Sequence, residues 1–571
     1  MEKNKKSFVK GAAILGVAGL IVKIIGAIYR IPLTNILQSG SLDGMIFYAT
    51  AYPYYSWLLV ISSAGFPTAI SKLVSERVAA HDNKGATDVF RTALRLLIII
   101  GVVTTAILFF LSSPLASLAN RPNAKYSLMA LAPSLIIVSV MCAYRGYLQG
   151  MQRMTGTAVS QITEQIGKLI AGYALAIVFK KLYPEQPYYW AMGTLIGISL
   201  SEMLALIVIY WVYLKNRRTL PSYGLEHEPY ERSTFRTVGL SLLTIAIPIT
   251  IGASIMPITG IADSVFINRL LENRYISLGI EEELAKTMAD DGYVALRSYV
   301  TPLINMPAVL TLALSMSLVP AIAPMVAARD RKGVRKAAST GMKLAMLVGA
   351  PCAAGLFVLG APIMAMLYHK VRESTDIYYI SGFIKQIINI SADNQASVYA
   401  VAGGIMQIAA IGVLFLSLVQ TMTGIIQGMG KQKVPVYFLV VGGVIKVVSM
   451  LVLMKFTSLG VLGAALSTVL CYAVAGIGDT LYTVRRANIR LSYFDTFGKP
   501  VLSSLIMGVF VYFAYKIIYK MGHPTLATLG GICVGVVVYA VCLWLLRAFN
   551  KNDMDFIPGG RRIAKLFRVK E

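Results

Sequence analysis

The sequence predicts an all-α polytopic membrane protein of fourteen transmembrane helices, arranged as two six-helix lobes followed by two further helices. Three observations carry this. The 571 residues are 56% hydrophobic and only 14% charged, with a mean hydropathy of +0.67, whereas a soluble chain is about 25% charged. Apolar runs long enough to span a bilayer recur from end to end. A charged octapeptide set between apolar runs occurs twice, as VAAHDNKG at 78–85 and VAARDRKG at 326–333, identical at six of eight positions and 248 residues apart.

The first span covers 10–36 and lacks the small-residue cleavage site of a signal peptide. The remaining spans of the first lobe fall at 44–71, 92–113, 126–147, 157–179 and 189–214. The second lobe takes 238–270, 292–325, 337–366, 399–426, 434–454 and 460–484, and the last two spans take 500–519 and 524–546. Several exceed the roughly 20 residues that cross a bilayer, which implies tilt or helical extension. The chain thus divides into a first lobe (1–214), a linker (215–237), a second lobe (238–484), a terminal helix pair (485–548) and a basic tail (549–571). The mixed segment 372–398 reads as a surface helix.

Lys and Arg are in roughly three-fold excess in one alternate set of loops and ends, which places both termini in the cytoplasm. The loop 271–291, with Glu281, Glu282, Glu283, Asp290 and Asp291, is then external. The formal charge of +26 therefore belongs to membrane topology rather than to nucleic-acid binding. The five cysteines, Cys142, Cys352, Cys471, Cys533 and Cys542, all lie in apolar segments and have no metal-ligand or disulfide spacing. There is no phosphate-binding glycine loop and no paired-histidine metal motif. His81, His227, His369 and His523 are scattered over loops and span ends. No loop has room for a soluble enzyme domain, so an enzyme is not expected.

A second echo supports duplication. Gln149-Gly150-Met151 returns as Gln427-Gly428-Met429, and Lys168 returns as Lys446, both with offset 278. Each echo spans six helices, so the two copies share one orientation. Parallel repeats of this kind are related by an axis along the membrane normal, and the cleft between them is the usual substrate path.

Candidate functional residues are the charges inside apolar spans, because such charges are costly and usually face a cavity. Lys23 and Arg30 lie seven residues apart in the first span, on one helical face. Two cations there suit a phosphate group, while snorkelling of Arg30 to the interface is the bland alternative. Glu164 and Lys168 are spaced for an i,i+4 ion pair. Lys446 has Gly442 where that glutamate would stand. Asp263 in the seventh span could bind a proton or sodium ion, or could pair with Arg269 or Arg297. Glu202 is a further core carboxylate, with Ser199 and Ser201 as neighbours. The second span carries five aromatics from Tyr48 to Trp57, suited to an interfacial belt. Among them Tyr52 and Tyr55 are candidates for stacking on sugar rings. Pro53 and Pro67 are expected to break or bend this span, and Pro307 and Pro320 the eighth.

Three stretches resemble the MurJ/SpoVB/YtgP group of bacterial lipid-linked precursor flippases, within the multidrug and oligosaccharidyl-lipid exporter superfamily. They are K-x-x-G-x-x-Y-R-I-P-L at 23–33, YRGYLQGMQRMTGTAVSQITEQIGK at 144–168 and SLVPAIAP at 317–324. The resemblance covers essentially the whole chain. It implies a MATE-like, V-shaped transporter in the bacterial cell membrane, working by alternating access on lipid II, the undecaprenyl-pyrophosphate-linked peptidoglycan precursor. It also implies a groove for the lipid tail at the last two spans and contacts with membrane lipids and cell-wall synthesis proteins. Lys23 and Arg30 match the basic residues expected at the pyrophosphate, and Asp43 matches an acidic residue after the first span. The substrate-binding set is then Lys23, Arg30, Asp43, Tyr52, Tyr55, Glu164, Lys168, Arg297 and Lys446. Trp57 stands where relatives of the Gram-negative type carry a second-span arginine. Asp263 matches a sodium site of the second lobe in some relatives. No cofactor is required, and coupling to Na+, H+ or the membrane potential is open. The competing readings are a flippase for another undecaprenyl-linked glycan, a multidrug antiporter and a non-transporting scaffold.

Overall fold

The computed structural model describes residues 18–19, 21–26, 28–39, 42–217, 235–368, 398–489 and 492–548. The basic tail, most of the linker, and all but residue 398 of the expected surface helix lie outside them, as do His227 and His369.

Helix α1 takes in the helical residues 18–19, 21–26 and 28–36. A two-residue antiparallel ladder, β1 (Gln38–Ser39) on β2 (Leu42–Asp43), turns the chain into α2 (Met45–Ser63). Then follow α3 (Phe66–Ala79), α4 (Asn83–Phe110), the short α5 (Ser112–Leu118), α6 (Ala124–Gly150), α7 (Met154–Leu182), α8 (Pro187–Arg217) and α9 (Phe235–Ser277). The remainder are α10 (Glu282–Val294), α11 (Thr301–Ala327), α12 (Arg331–Leu367), α13 (Val398–Gly428), α14 (Lys433–Phe456), α15 (Val461–Arg486), α16 (Lys499–Tyr519) and α17 (Pro524–Leu545). Among the described residues thirteen helices are long and apolar enough to cross a membrane, and α1 stands before them. The all-α polytopic architecture expected from the sequence is the one observed.

The chain forms two compact units, Met1–Arg269 and Leu270–Glu571. In the first, α6 is the central helix, packed on α2, α3, α4 and α8, while α7 pairs with α8. In the second, α13 is central, packed on α11, α12 and α15; α14 lies on α15, and α16 and α17 pair on α12. Large apolar side chains such as Ile99, Val103 and Phe110 on α4, and Leu505, Phe510 and Phe513 on α16, remain exposed. Each such helix satisfies its own backbone hydrogen bonds, so the solvent these faces suit is hydrocarbon.

The duplication is visible in the packing. Gly101 of α4 lies against Ile136 and Ser139 of α6; Gly349 of α12 lies against Leu414 and Ser417 of α13. Gly150 meets Ser71 and Val74 of α3; Gly428 meets Val319 and Ile322 of α11. All these partners obey the two sequence offsets, 248 and 278. The same small residues let the same pairs of backbones approach in both units.

The repeated octapeptide is a built corner. His81 and Arg329 adopt left-handed φ of 61° and 56°, which ends α3 and α11. Asp82 and Asp330 then cap α4 and α12, accepting the amides of Gly85 at 2.6 Å and Gly333 at 2.8 Å. Gly85 and Gly333 serve the cap rather than the turn. Neither glycine has positive φ. A Cβ at either position would overlap the capping carboxylate, so glycine is there to make room for the cap.

Three expectations change. Pro53, Pro307 and Pro320 lie within continuous helices, and the second span breaks at Gly65, where a Cβ would run into the backbone of Ala246. Pro67 sits in the first turn of the new helix, where its missing amide costs nothing. The acidic loop 271–291 is largely helical, interrupted only between Ser277 and Glu282, where Gly279 takes φ +84°. The aromatics Tyr48, Tyr54 and Tyr55 are buried rather than arrayed as an interfacial belt.

Candidate functional site

Four ionisable side chains meet inside the first unit. The expected pair is present: Lys168 Nζ lies 2.7 Å from Glu164 Oε1. Arg145 of α6 closes on the other oxygen of Glu164 at 3.0 Å, and its Nε donates to Ser160 Oγ at 3.0 Å. Lys168 also faces Glu202 of α8 at 3.6 Å. The Tyr55 hydroxyl of α2 donates to Glu202 Oε1 at 3.0 Å. Glu202 Oε2 is buried without a partner. Ser199 and Ser201, the neighbours expected to serve Glu202, donate instead to backbone carbonyls. Two cations and two carboxylates thus balance within a set of apolar helices, which makes the burial tolerable. Lys168 is already held by two carboxylates, so an anion would have to compete with them for its charge, and Tyr55 is buried with its hydroxyl on Glu202.

The cations of α1 are placed differently. Arg30 is half-buried, with its guanidinium carbon 5.2 Å from the ring centroid of Tyr52 and 5.8 Å from that of Tyr48. Tyr48 and Tyr52 stack at 5.5 Å. The stacked rings give the cation a polarisable wall. Lys23, two turns earlier on the same face, is exposed. Asp43 accepts the amide of Met45 at 2.6 Å and the Gln38 side chain at 3.2 Å, which fixes the turn into α2.

Asp263 is buried in α9, and nearby Asn268 has both amide atoms buried without a partner. Arg269 donates to the Leu118 carbonyl at 3.4 Å. No group of three or more His, Cys, Asp or Glu placed to hold a metal occurs among the described residues. A sodium ion at Asp263 would therefore draw its other ligands from amide, hydroxyl and carbonyl oxygens. In the second unit Arg297 sits half-buried in a π-helical turn, Ala295–Val300. Lys446 is buried in α14. A Cβ at Gly442 would lie 2.7 Å from the Cys471 carbonyl, so the counterpart of Glu164 is excluded by the approach of α15.

Sequence reasoning missed two residues. Arg145 completes the four-charge cluster; its signal was a lone arginine at the end of a long apolar run. Asp479 in α15 is fully buried with both carboxylate oxygens unpartnered; its signal was a single acid in VAGIGDTLY.

Helices of bilayer length in two similarly built units, with ionisable groups enclosed among them, define a multi-pass membrane protein. More particularly, the chain belongs to the polysaccharide biosynthesis protein family, whose model matches residues 8–326. A MatE model matches residues 377–452. The lipid II flippase MurJ of Bacillus subtilis is 25% identical, over 98% of this chain and 98% of its own length. Stage V sporulation protein B of the same organism is 24% identical, over 97% of this chain and 98% of its own. Among solved structures, a lipid II flippase MurJ in an inward closed conformation superposes with TM-score 0.60 at 15% identity, covering 94% of this chain and 98% of that one. An inward-facing multidrug resistance MATE family transporter superposes with TM-score 0.59 at 14% identity, covering 83% and 98%. The fold is MATE-like, and the chain is a multi-pass membrane protein of the polysaccharide biosynthesis protein family.

Proposed function

We propose that the protein is a lipid II flippase, carrying the undecaprenyl-pyrophosphate-linked peptidoglycan precursor from the inner to the outer leaflet by alternating access, with both termini cytoplasmic. The observation that carries this is the placement of Lys23 and Arg30. They share one face of α1, Lys23 exposed and Arg30 held against two tyrosine rings. A pyrophosphate offers two anionic groups to such a face, and a guanidinium binds phosphate oxygens through paired, charge-assisted hydrogen bonds. The rest of the proposed site ranks below this pair, because Glu164 and Lys168 already pair with each other, Tyr55 donates to Glu202 and Asp43 holds a turn. The exposed apolar faces of α16 and α17 suit the undecaprenyl chain, which then never leaves hydrocarbon. An inside-negative potential favours outward movement of an anionic head by about 2.3 kcal/mol per charge at 100 mV, so ATP is not needed.

The test is reconstitution in liposomes with labelled lipid II, read by head-group exposure on the outer leaflet. Stage V sporulation protein B is as similar to this chain as MurJ, so other undecaprenyl-linked glycans belong in the same assay. Faster exposure of another glycan than of lipid II would reassign the cargo. Exposure of none, with export of a cationic dye instead, would favour the multidrug reading.

A further inference from the structure

We propose that Glu202 takes up a proton when an anionic ligand draws on the Lys168 ammonium, so that anion binding and proton binding are linked within the first unit. The inference rests on the pyrophosphate reading above.

The four charges of the cluster are not equivalent. The side chains of Lys168, Glu164 and Arg145 retain 18%, 14% and 11% exposure, whereas that of Glu202 retains 1%. Glu164 is held by both cations at hydrogen-bond distance. Glu202 has only the Tyr55 and Ser134 hydroxyls and a lysine at 3.6 Å that is already closer to Glu164. It is the driest group of the four and the one with the weakest claim on a counter-charge. α8 packs on α2, α6 and α7. The titratable or charged groups those helices bring to Glu202 are Tyr55 from α2, Cys142 and Arg145 from α6, and Glu164 and Lys168 from α7. Lys168 is the only cation among them that reaches Glu202 within ion-pair distance among the described residues.

Helix α1, which carries the two cations, lies against α7, which carries Glu164 and Lys168. Tyr48, which faces Arg30, also lies within electrostatic reach of Lys168. A Cβ on Gly26 of α1 would stand 3.4 Å from the Gln165 side chain, next in sequence to Glu164. An anion held by Lys23 and Arg30 therefore lies in the field of Lys168, the most open member of the cluster. Once the ammonium is shared with the anion, Glu202 keeps only neutral hydroxyl partners, Tyr55 and Ser134. An unpaired carboxylate in a dry site is strongly disfavoured. A proton moves from solvent to a Glu202 oxygen, and no other bond is made or broken. Linkage then makes the coupling reciprocal: protonation of Glu202 tightens anion binding to the same extent.

The experiment uses the purified full chain in detergent, titrated with undecaprenyl pyrophosphate in weak buffer containing a pH indicator. The expected result is uptake of about one more proton per bound ligand by the wild type than by Glu202→Gln, which keeps the size and the Tyr55 hydrogen bond. Wild-type affinity should fall about tenfold per pH unit once the ligand is fully ionised, while the variant's affinity stays flat. Equal uptake by both proteins overturns the inference. So does wild-type binding at high pH without proton uptake, a result that does not depend on the variant folding. No binding by the wild type at any pH overturns the proposed function along with it.

Discussion

The guanidinium of Arg30 sits 5.2 Å from the ring centre of Tyr52 and shares that wall with Tyr48. Such contacts contribute about 0.5–2 kcal/mol each. They set the orientation in which the guanidinium meets its neighbours. Arg30→Ala should therefore lower lipid II affinity by roughly 10- to 100-fold, the range of about 1.5–3 kcal/mol for hydrogen bonds to charged groups. Arg30→Lys should restore part of this, since it keeps charge but loses the fork. Isothermal titration with undecaprenyl pyrophosphate distinguishes these outcomes from simple interfacial anchoring, in which both variants bind as the wild type does.

The four-charge cluster predicts strong coupling in stability. Arg145→Ala or Glu164→Ala alone leaves a buried charge short of its partner and should cost about 3–5 kcal/mol. The double variant should cost less than the sum of the two. Thermal unfolding in detergent reads this directly. Additive losses would mean that the two residues act separately despite their 3.0 Å contact.

The twin corners predict matched effects in the two units. Asp82→Ala and Asp330→Ala should each destabilise the following helix by about 1 kcal/mol, the usual cost of losing an N-cap. Hydrogen exchange at the start of α4 and of α12 should rise in parallel. If one responds and the other does not, the corners are alike in geometry only.

The same corners report orientation. In intact cells, Lys84→Cys and Lys332→Cys should resist a membrane-impermeant thiol reagent and react after permeabilisation. Labelling of either from outside would reverse the assigned topology.

Much of this architecture was legible in the sequence because helices of bilayer length are written as local composition. The i,i+4 spacing of Glu164 and Lys168 likewise announced their ion pair. Arg145 and Tyr55 were not legible as partners. They lie 19 residues from Glu164 and 147 residues from Glu202, and only the packing of α2, α6 and α8 brings them in. Gly442 read as a missing glutamate, yet the reason is steric and belongs to α15. The role of Gly85 and Gly333 depends on the direction of a capping carboxylate, which the sequence does not write. The corner was therefore visible as a repeat before its mechanism was.

The central claim is that the α1 cations carry a pyrophosphate-linked lipid across the bilayer. It is tested most directly by the rate at which labelled lipid II reaches the outer leaflet of liposomes holding wild type or Arg30→Ala at matched incorporation, under an inside-negative potential. The account predicts rapid exposure with the wild type and a rate at least about tenfold lower with Arg30→Ala. Equal rates for the two proteins, or wild-type exposure no faster than in empty liposomes, would contradict it.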